Sequence, residues 1–335
     1  MQDMLRREVC GILFVALALV CSRFPALAGG PAATQPDLAA IASPVVFRGN
    51  ASTAYRDPAA IYHDGWFYLY FSLTRIEPGT HQPYSYTAWS RSRDLVHWTD
   101  AKVFTPRDQS LNFSSPGNVI RFAGEWVLCL QTYPRPNGEK YANASARLWT
   151  MRSADLENWG APELLRVKGP DVPVEKMGRM IDPFLLRDKE DPTKWWCFFK
   201  QKGQSYAWSR DLKNWTFAGS VKAGENACVV VKDNEYVLFH SPANGIGIRR
   251  STDLKTWRDA GLLTLGQKQW AWAAGRITAG FVLDARNIPG VGKYLMFFHG
   301  SDFPETDPRG GFDSFASIGI AWSDDLEHWA WPGSN

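Results

Sequence analysis

Apolar and polar positions along this 335-residue chain fall into short runs, and the runs repeat. Five times an apolar or alternating stretch leads into the pattern Ser-x-Asp-Leu-x-x-Trp, at residues 92–98, 153–159, 209–215, 251–257 and 323–329. The Trp-to-Trp intervals run from 42 to 72 residues, the size of one four-stranded sheet with its loops. Ser and Asp side chains bond to nearby backbone amides, so each copy reads as a turn between strands, with Leu and Trp pointing between neighbouring sheets. The Asp residues of these copies are turn formers. Upstream of each copy stand two apolar strands joined by a polar turn: 57–62 and 66–72, 115–121 and 126–131, 182–187 and 195–200, 225–231 and 236–240, 279–284 and 294–299. Near-continuous apolar runs suit strands covered on both faces, and no long 3.6-residue period appears. The pattern predicts an all-β, five-bladed β-propeller.

The boundaries follow. Arg6 and Arg7, the apolar run 11–20 and the small residues Ala26 and Ala28 read as an export signal over 1–28, which places the mature protein outside the cytoplasm, secreted or periplasmic. The apolar run is about half of the ~20 residues that span a bilayer, so no permanent anchor is expected. Residues 29–43 read as a flexible lead-in and 44–335 as the propeller. Only 330–335 follow the last Trp, so 44–48 (PVVFR) is a candidate for the outer strand of blade five.

Composition narrows the function. The net charge of +3 is spread without a basic stripe, which argues against a nucleic-acid partner. Sixteen Trp suit a β-rich core, a carbohydrate surface, or both. Cys129, Cys197 and Cys228 each sit in an apolar run and read as buried free thiols; no Cys/His spacing suggests a metal site. The sequence does not address oligomeric state.

Aligning the starts of the five inner strands brings Asp57, Ser115, Asp182, Glu225 and Ala279 to equivalent positions. Three carboxylates at one end of a propeller axis repel each other. That repulsion separates their pKa values and suits a general acid–base pair. The second strands return to the same face and end at Gln131, Lys200, His240 and His299. Trp270, Trp272 and Arg276 precede the inner strand of blade five, and Arg56 and Arg179 flank the aspartates. Sugar binding is one reading of these residues. Structural histidines, interblade tryptophans and charge neutralisation are the other.

Arg56-Asp57-Pro58, Ile181-Asp182-Pro183 and Gly224-Glu225, together with the five turns, resemble glycoside hydrolase family 43 and its five-bladed furanosidase superfamily. The resemblance covers most of 50–330. It implies Asp57 as general base, Glu225 as general acid and Asp182 as the residue that tunes the acid and orients the sugar. It also implies inversion, with the base and acid roughly 6.5–9.5 Å apart. The implied activity is hydrolysis of arabinofuranosyl or xylosyl bonds in polysaccharide fragments. Asn226-Ala227 and Ser114-Ser115-Pro116 depart from the family pattern. Family 117, acting on agar oligosaccharides, is similar too, and there a histidine such as His240 or His299 would be the acid. A non-catalytic carbohydrate-binding propeller and a sugar phosphorylase using Arg56, Arg179, Lys200 and Arg276 remain as alternatives. No cofactor is called for, although a structural ion at the axis, such as calcium, is compatible with this reading. Loops at 75–84, 134–144, 166–180 and 301–312 are expected to wall one end of the pocket and favour exo action.

Overall fold

The computed structural model describes residues 35–79, 81–303 and 313–334. The expected export signal (1–28), the first part of the lead-in (29–34) and most of the 301–312 loop lie outside the described residues. Among the described residues twenty-one strands form five antiparallel sheets. Blade one holds β2 (Thr53–His63), β3 (Trp66–Ile76), β4 (Pro83–Ser92) and β5 (Lys102–Val103). Blade two holds β6 (Phe113–Phe122), β7 (Glu125–Thr132), β8 (Leu148–Ser153) and β9 (Glu163–Leu164). Blade three holds β10 (Ile181–Arg187), β11 (Trp195–Gln201), β12 (Gly203–Ser209) and β13 (Thr216–Val221). Blade four holds β14 (Glu225–Lys232), β15 (Glu235–Ser241), β16 (Ile246–Ser251) and β17 (Arg258–Leu263). Blade five holds β18 (Arg276–Ala285), β19 (Lys293–Ser301) and β20 (Ser317–Ser323). Its fourth strand is β1 (Val45–Phe47), which pairs antiparallel with β20, and the short β21 (Trp329–Ala330) also pairs with β20. The segment 44–48 thus closes the ring. The stretch just before it is packed rather than loose: Leu38–Ala40 form a short 3₁₀ turn capped by Asp37, and Ile41 is buried in the core. Apolar Leu38 and Ile41 find a surface to cover, which sets this part of the lead-in apart from the flexible segment expected.

The five repeats fold as the same turn. In the first, Ser92 Oγ accepts from the Asp94 and Leu95 amides while Asp94 Oδ1 accepts from Val96 and His97. The carboxylate is consumed by backbone, as turn formation requires. The five Leu residues take left-handed φ values of 58–68° and are buried. The Trp of one blade packs on the preceding blade: Trp159 lies 5.7 Å from Tyr70, Trp98 6.2 Å from Phe297 and Trp329 6.2 Å from Phe239, centroid to centroid. Cys129, Cys197 and Cys228 are buried free thiols, and burial pushes Cys129 and Cys228 up to about 12. Inner strands approach closely at the axis. A Cβ on Gly117 would stand 1.5 Å from the Pro183 carbonyl oxygen, so only glycine fits there.

Candidate active site

Each inner strand carries a β-bulge at the same height. The register slips between Arg56 and Ala59, Ser114 and Asn118, Ile181 and Phe184, Glu225 and Cys228, and Thr278 and Phe281. The first bulged residue is left-handed in every blade: Asp57 (φ 48°), Ser115 (41°), Asp182 (53°), Asn226 (50°) and Ala279 (51°). A bulge re-aims the side chains of its strand, and a left-handed non-glycine residue stores about 1–3 kcal/mol of strain that its surroundings must hold.

This ring corrects the sequence alignment in blade four. Asn226, not Glu225, is the equivalent of Asp57 and Asp182. Glu225 stands one residue earlier, level with Arg56, Ser114, Ile181 and Thr278. All five residues of that earlier level line one axial cavity, as do Asp57, Ser115, Asp182 and Asn226. Asp57, Asp182 and Glu225 therefore face a common hollow.

The bulge amides are held by the second strand of the preceding blade. The N–H of Asp57 donates to His299 Nδ1 (3.1 Å), that of Ser115 to Ser72 Oγ (2.7 Å), that of Asp182 to Gln131 Oε1 (2.6 Å) and that of Ala279 to Ser241 Oγ (2.8 Å). Blade three breaks the pattern. Lys200 occupies the corresponding position, opposite Ile181, and an ammonium accepts no hydrogen bond. The Asn226 amide turns instead to Asp182 Oδ2 (3.3 Å). Lys200 is not among the residues that line the cavity.

Asp57 is buried and fully engaged. Ser72 Oγ (2.8 Å) and Ser115 Oγ (3.0 Å) donate to Oδ2, and Asn226 Nδ2 (3.3 Å) donates to Oδ1. Burial alone would raise its carboxyl; the Arg56 guanidinium, 3.9 Å from Oδ1, and the two hydroxyls outweigh it and hold Asp57 below the usual carboxylate value. His299 adds no charge. Its Nδ1 accepts the Asp57 amide, which puts the proton on Nε2, and burial takes the ring down to about 3. The 3.7 Å approach of Nδ1 to Asp57 Oδ1 is accordingly not an ion pair. Asp182 goes the other way. Burial, then repulsion from Glu225 and from Asp57, raises it to about 8. At neutral pH one aspartate is ionised and the other protonated within one cavity.

Arg56, Ser115, Gln131, Arg276 and His299 line the cavity, as the strand ends predict, and Arg276 is pinned by Nε to the Ala243 carbonyl (3.1 Å). His240 does not. It stands one residue before Ser241, the true register partner of Glu225, and side chains on a strand alternate faces. Its ring covers Gly247, Nδ1 accepts the Gly224 amide (3.0 Å), and burial lowers it to about 4. Trp270 and Trp272 stack on each other (5.4 Å) and on Phe298 (5.7 and 5.9 Å), in the packing of blade five away from the cavity. Both tryptophans pack within blade five.

Sequence reasoning missed Asn226. It also missed Ser72, whose hydroxyl serves both Asp57 and Ser115, and the loop residues Tyr133 and Tyr141 on the cavity wall. Asn226 carried a signal, since Asn tolerates the left-handed region better than most residues. Among the described residues no three His, Cys, Asp or Glu side chains converge as a metal-holding set.

No family model matches this chain, and no curated protein matches its sequence. Solved structures match it in shape. A β-xylosidase superposes with a TM-score of 0.57 at 13% identity, over 81% of this chain and 93% of the other. A thermostable family-43 glycoside hydrolase gives 0.57 at 13%, over 88% and 100%. The catalytic domain of a family-62 α-L-arabinofuranosidase from Coprinopsis cinerea gives 0.58 at 16%, over 82% and 96%. At such identity the likeness is one of architecture: the chain has the five-bladed β-propeller fold of these glycoside hydrolase structures.

Proposed function

We propose that this protein is a secreted, inverting glycoside hydrolase that cleaves arabinofuranosyl- or xylosyl-type bonds in polysaccharide fragments. One observation carries the reading: two carboxyl groups of opposite protonation, Asp57 and Asp182, share a cavity with a third, Glu225. Hydrolysis of a glycosidic bond needs a carboxylate base and a carboxylic acid on opposite sides of the bond. Asp57 is the base that takes a proton from the attacking water. Its ionised form is favoured by Arg56, Ser72 and Ser115. Glu225 repels Asp182 and helps to raise it. Glu225, the less buried of the two, is the acid that protonates the leaving oxygen, with Asp182 beside it. Asn226, bonded to both aspartates, is a positioning residue. The pentosyl specificity is supported by what the xylosidase and arabinofuranosidase structures are named for, and export by residues 1–28.

The test is hydrolysis of aryl arabinofuranosides, xylosides and galactosides, with NMR reading the first anomer released. Turnover with inversion is expected, falling about 10²–10⁴-fold in Asp57→Asn and Glu225→Gln while the fold stays intact. Turnover that survives both substitutions would remove these residues from the chemistry.

A further inference from the structure

Three guanidiniums, from Arg56, Arg179 and Arg276, line the same cavity as the acids. Among the described residues no carboxylate stands within ion-pair distance of Arg179, whose charge acts on Asp182 from further off. Its position is nevertheless built. Nε donates to the Ala142 carbonyl (3.3 Å), Gln201 Nε2 holds its backbone carbonyl (3.3 Å), and its guanidinium lies 5.9 Å from the Tyr133 ring. Arg135 approaches the same ring at 5.8 Å and is already paired with Asp313 (2.9 Å), and Arg56 acts on the same phenol. A fixed guanidinium fork matches the two oxygens of a carboxylate or a sulfate. Tyr133 and Tyr141 are the aromatic rings on the cavity wall among the described residues.

We propose that the cavity accepts a saccharide fragment carrying an anionic group, a hexuronate carboxylate or a sulfate ester, seated on Arg179 beside Tyr133. This deepens the hydrolase reading and rests on it for the role of the cavity. The anionic unit lies beside the sugar whose bond is cleaved, so a pentosyl leaving unit and a charged neighbour are compatible.

Calorimetry on the wild-type chain with free monosaccharides tests this without turnover. Glucuronate, galacturonate and a hexose 6-sulfate are titrated against glucose, galactose and xylose. Expected is an affinity for one anionic class at least about tenfold above its neutral counterpart, with a preference that shrinks as salt is added. Whether the uronate or the sulfate ester is preferred identifies the anion. Arg179→Gln should weaken that class by about ten- to a hundredfold, and Arg179→Lys should recover part of it. Equal affinity for neutral and anionic sugars overturns the proposal. So does inorganic sulfate or phosphate binding as tightly as the charged sugar. Turnover of neutral glycosides with no anionic preference leaves the hydrolase standing and removes this inference. Anionic preference with no glycoside turned over does the reverse.

Discussion

Asn226 is the sharpest point at which to perturb the site. Its backbone is left-handed (φ 50°), Nδ2 donates to Asp57 Oδ1 at 3.3 Å, and Oδ1 accepts from Ser241 Oγ at 3.0 Å. Two substitutions separate these contributions. Asn226→Gly keeps the backbone comfortable and loses both side-chain bonds. The bond to the ionised Asp57 is long, so it is worth about 1.5 kcal/mol, and the neutral one about 1 kcal/mol. Asn226→Ala loses the same bonds and also puts a Cβ in the left-handed region, at about 1–2 kcal/mol. The extra chain entropy of glycine in the unfolded state offsets about half of that difference. Asn226→Gly should therefore unfold about 2–3 kcal/mol below wild type, and Asn226→Ala about 0.5–1 kcal/mol further. Urea unfolding followed by Trp fluorescence reads both midpoints. An alanine variant as stable as the glycine variant, or more so, would refute strain at this bulge. A glycine variant matching wild type would refute the two bonds.

The other predictions rest on single contacts. The acid limb of the kcat/KM profile should lie below that of an ordinary aspartate, because Asp57 is lowered, and the alkaline limb near pH 8, where Asp182 loses its proton; Asp182→Asn should move the alkaline limb and leave the acid limb in place. Asp182 also links pH to stability. Its folded pKa of about 8 exceeds the ordinary 3.8, so the stability it lends is complete below 3.8 and drains as pH rises towards 8. The Asp182→Asn variant should gain on wild type in unfolding midpoint between pH 4 and pH 8, and a constant gap would count against a raised Asp182. Trp270→Ala should cost about 3–5 kcal/mol of stability without changing sugar affinity by calorimetry, because its ring packs on Trp272 and Phe298. His240→Ala leaves the Gly224 amide without its acceptor, at about 1–3 kcal/mol, and should lower kcat more than KM because Glu225 is the next residue.

The blades were legible because the turn that ends each one is built from its own seven residues. Ser92 and Asp94 satisfy the amides of residues 94–97 with no help from afar, the copies at Ser153, Ser251 and Ser323 do the same, and Ser209 with Asp211 satisfies the amides of 211, 213 and 214. Asp57 and Asp182 were legible for a similar reason, since a proline after each marks the bulge. Blade four has Asn226-Ala227 at that place, and an alignment anchored on charge put Glu225 there instead. Position in the ring was set by the register slip, which only the pairing with β15 reveals. His240 shows the same one-residue sensitivity: a strand end known to within a residue leaves the facing side chain undetermined. Trp270 and Trp272 were ambiguous because a ring that stacks on sugar and a ring that fills a blade have the same composition. Ser72 was invisible because its partners, Asp57 and Ser115, come from different blades.

The pairing of β1 with β20 has a consequence for how the molecule comes into being. Val45 meets Gly319 and Phe47 meets Ile318, so the clasp is made of residues from opposite ends of the translation order. Until β20 has emerged β1 has no partner, and until β1 docks β20 offers an open edge, the kind of surface that recruits strands from other molecules. Contacts so remote in sequence also form slowly. A chain of this design gains from being held unfolded until β20 is available, and a permuted version with new termini in an outer loop, its clasp made local, should assemble faster.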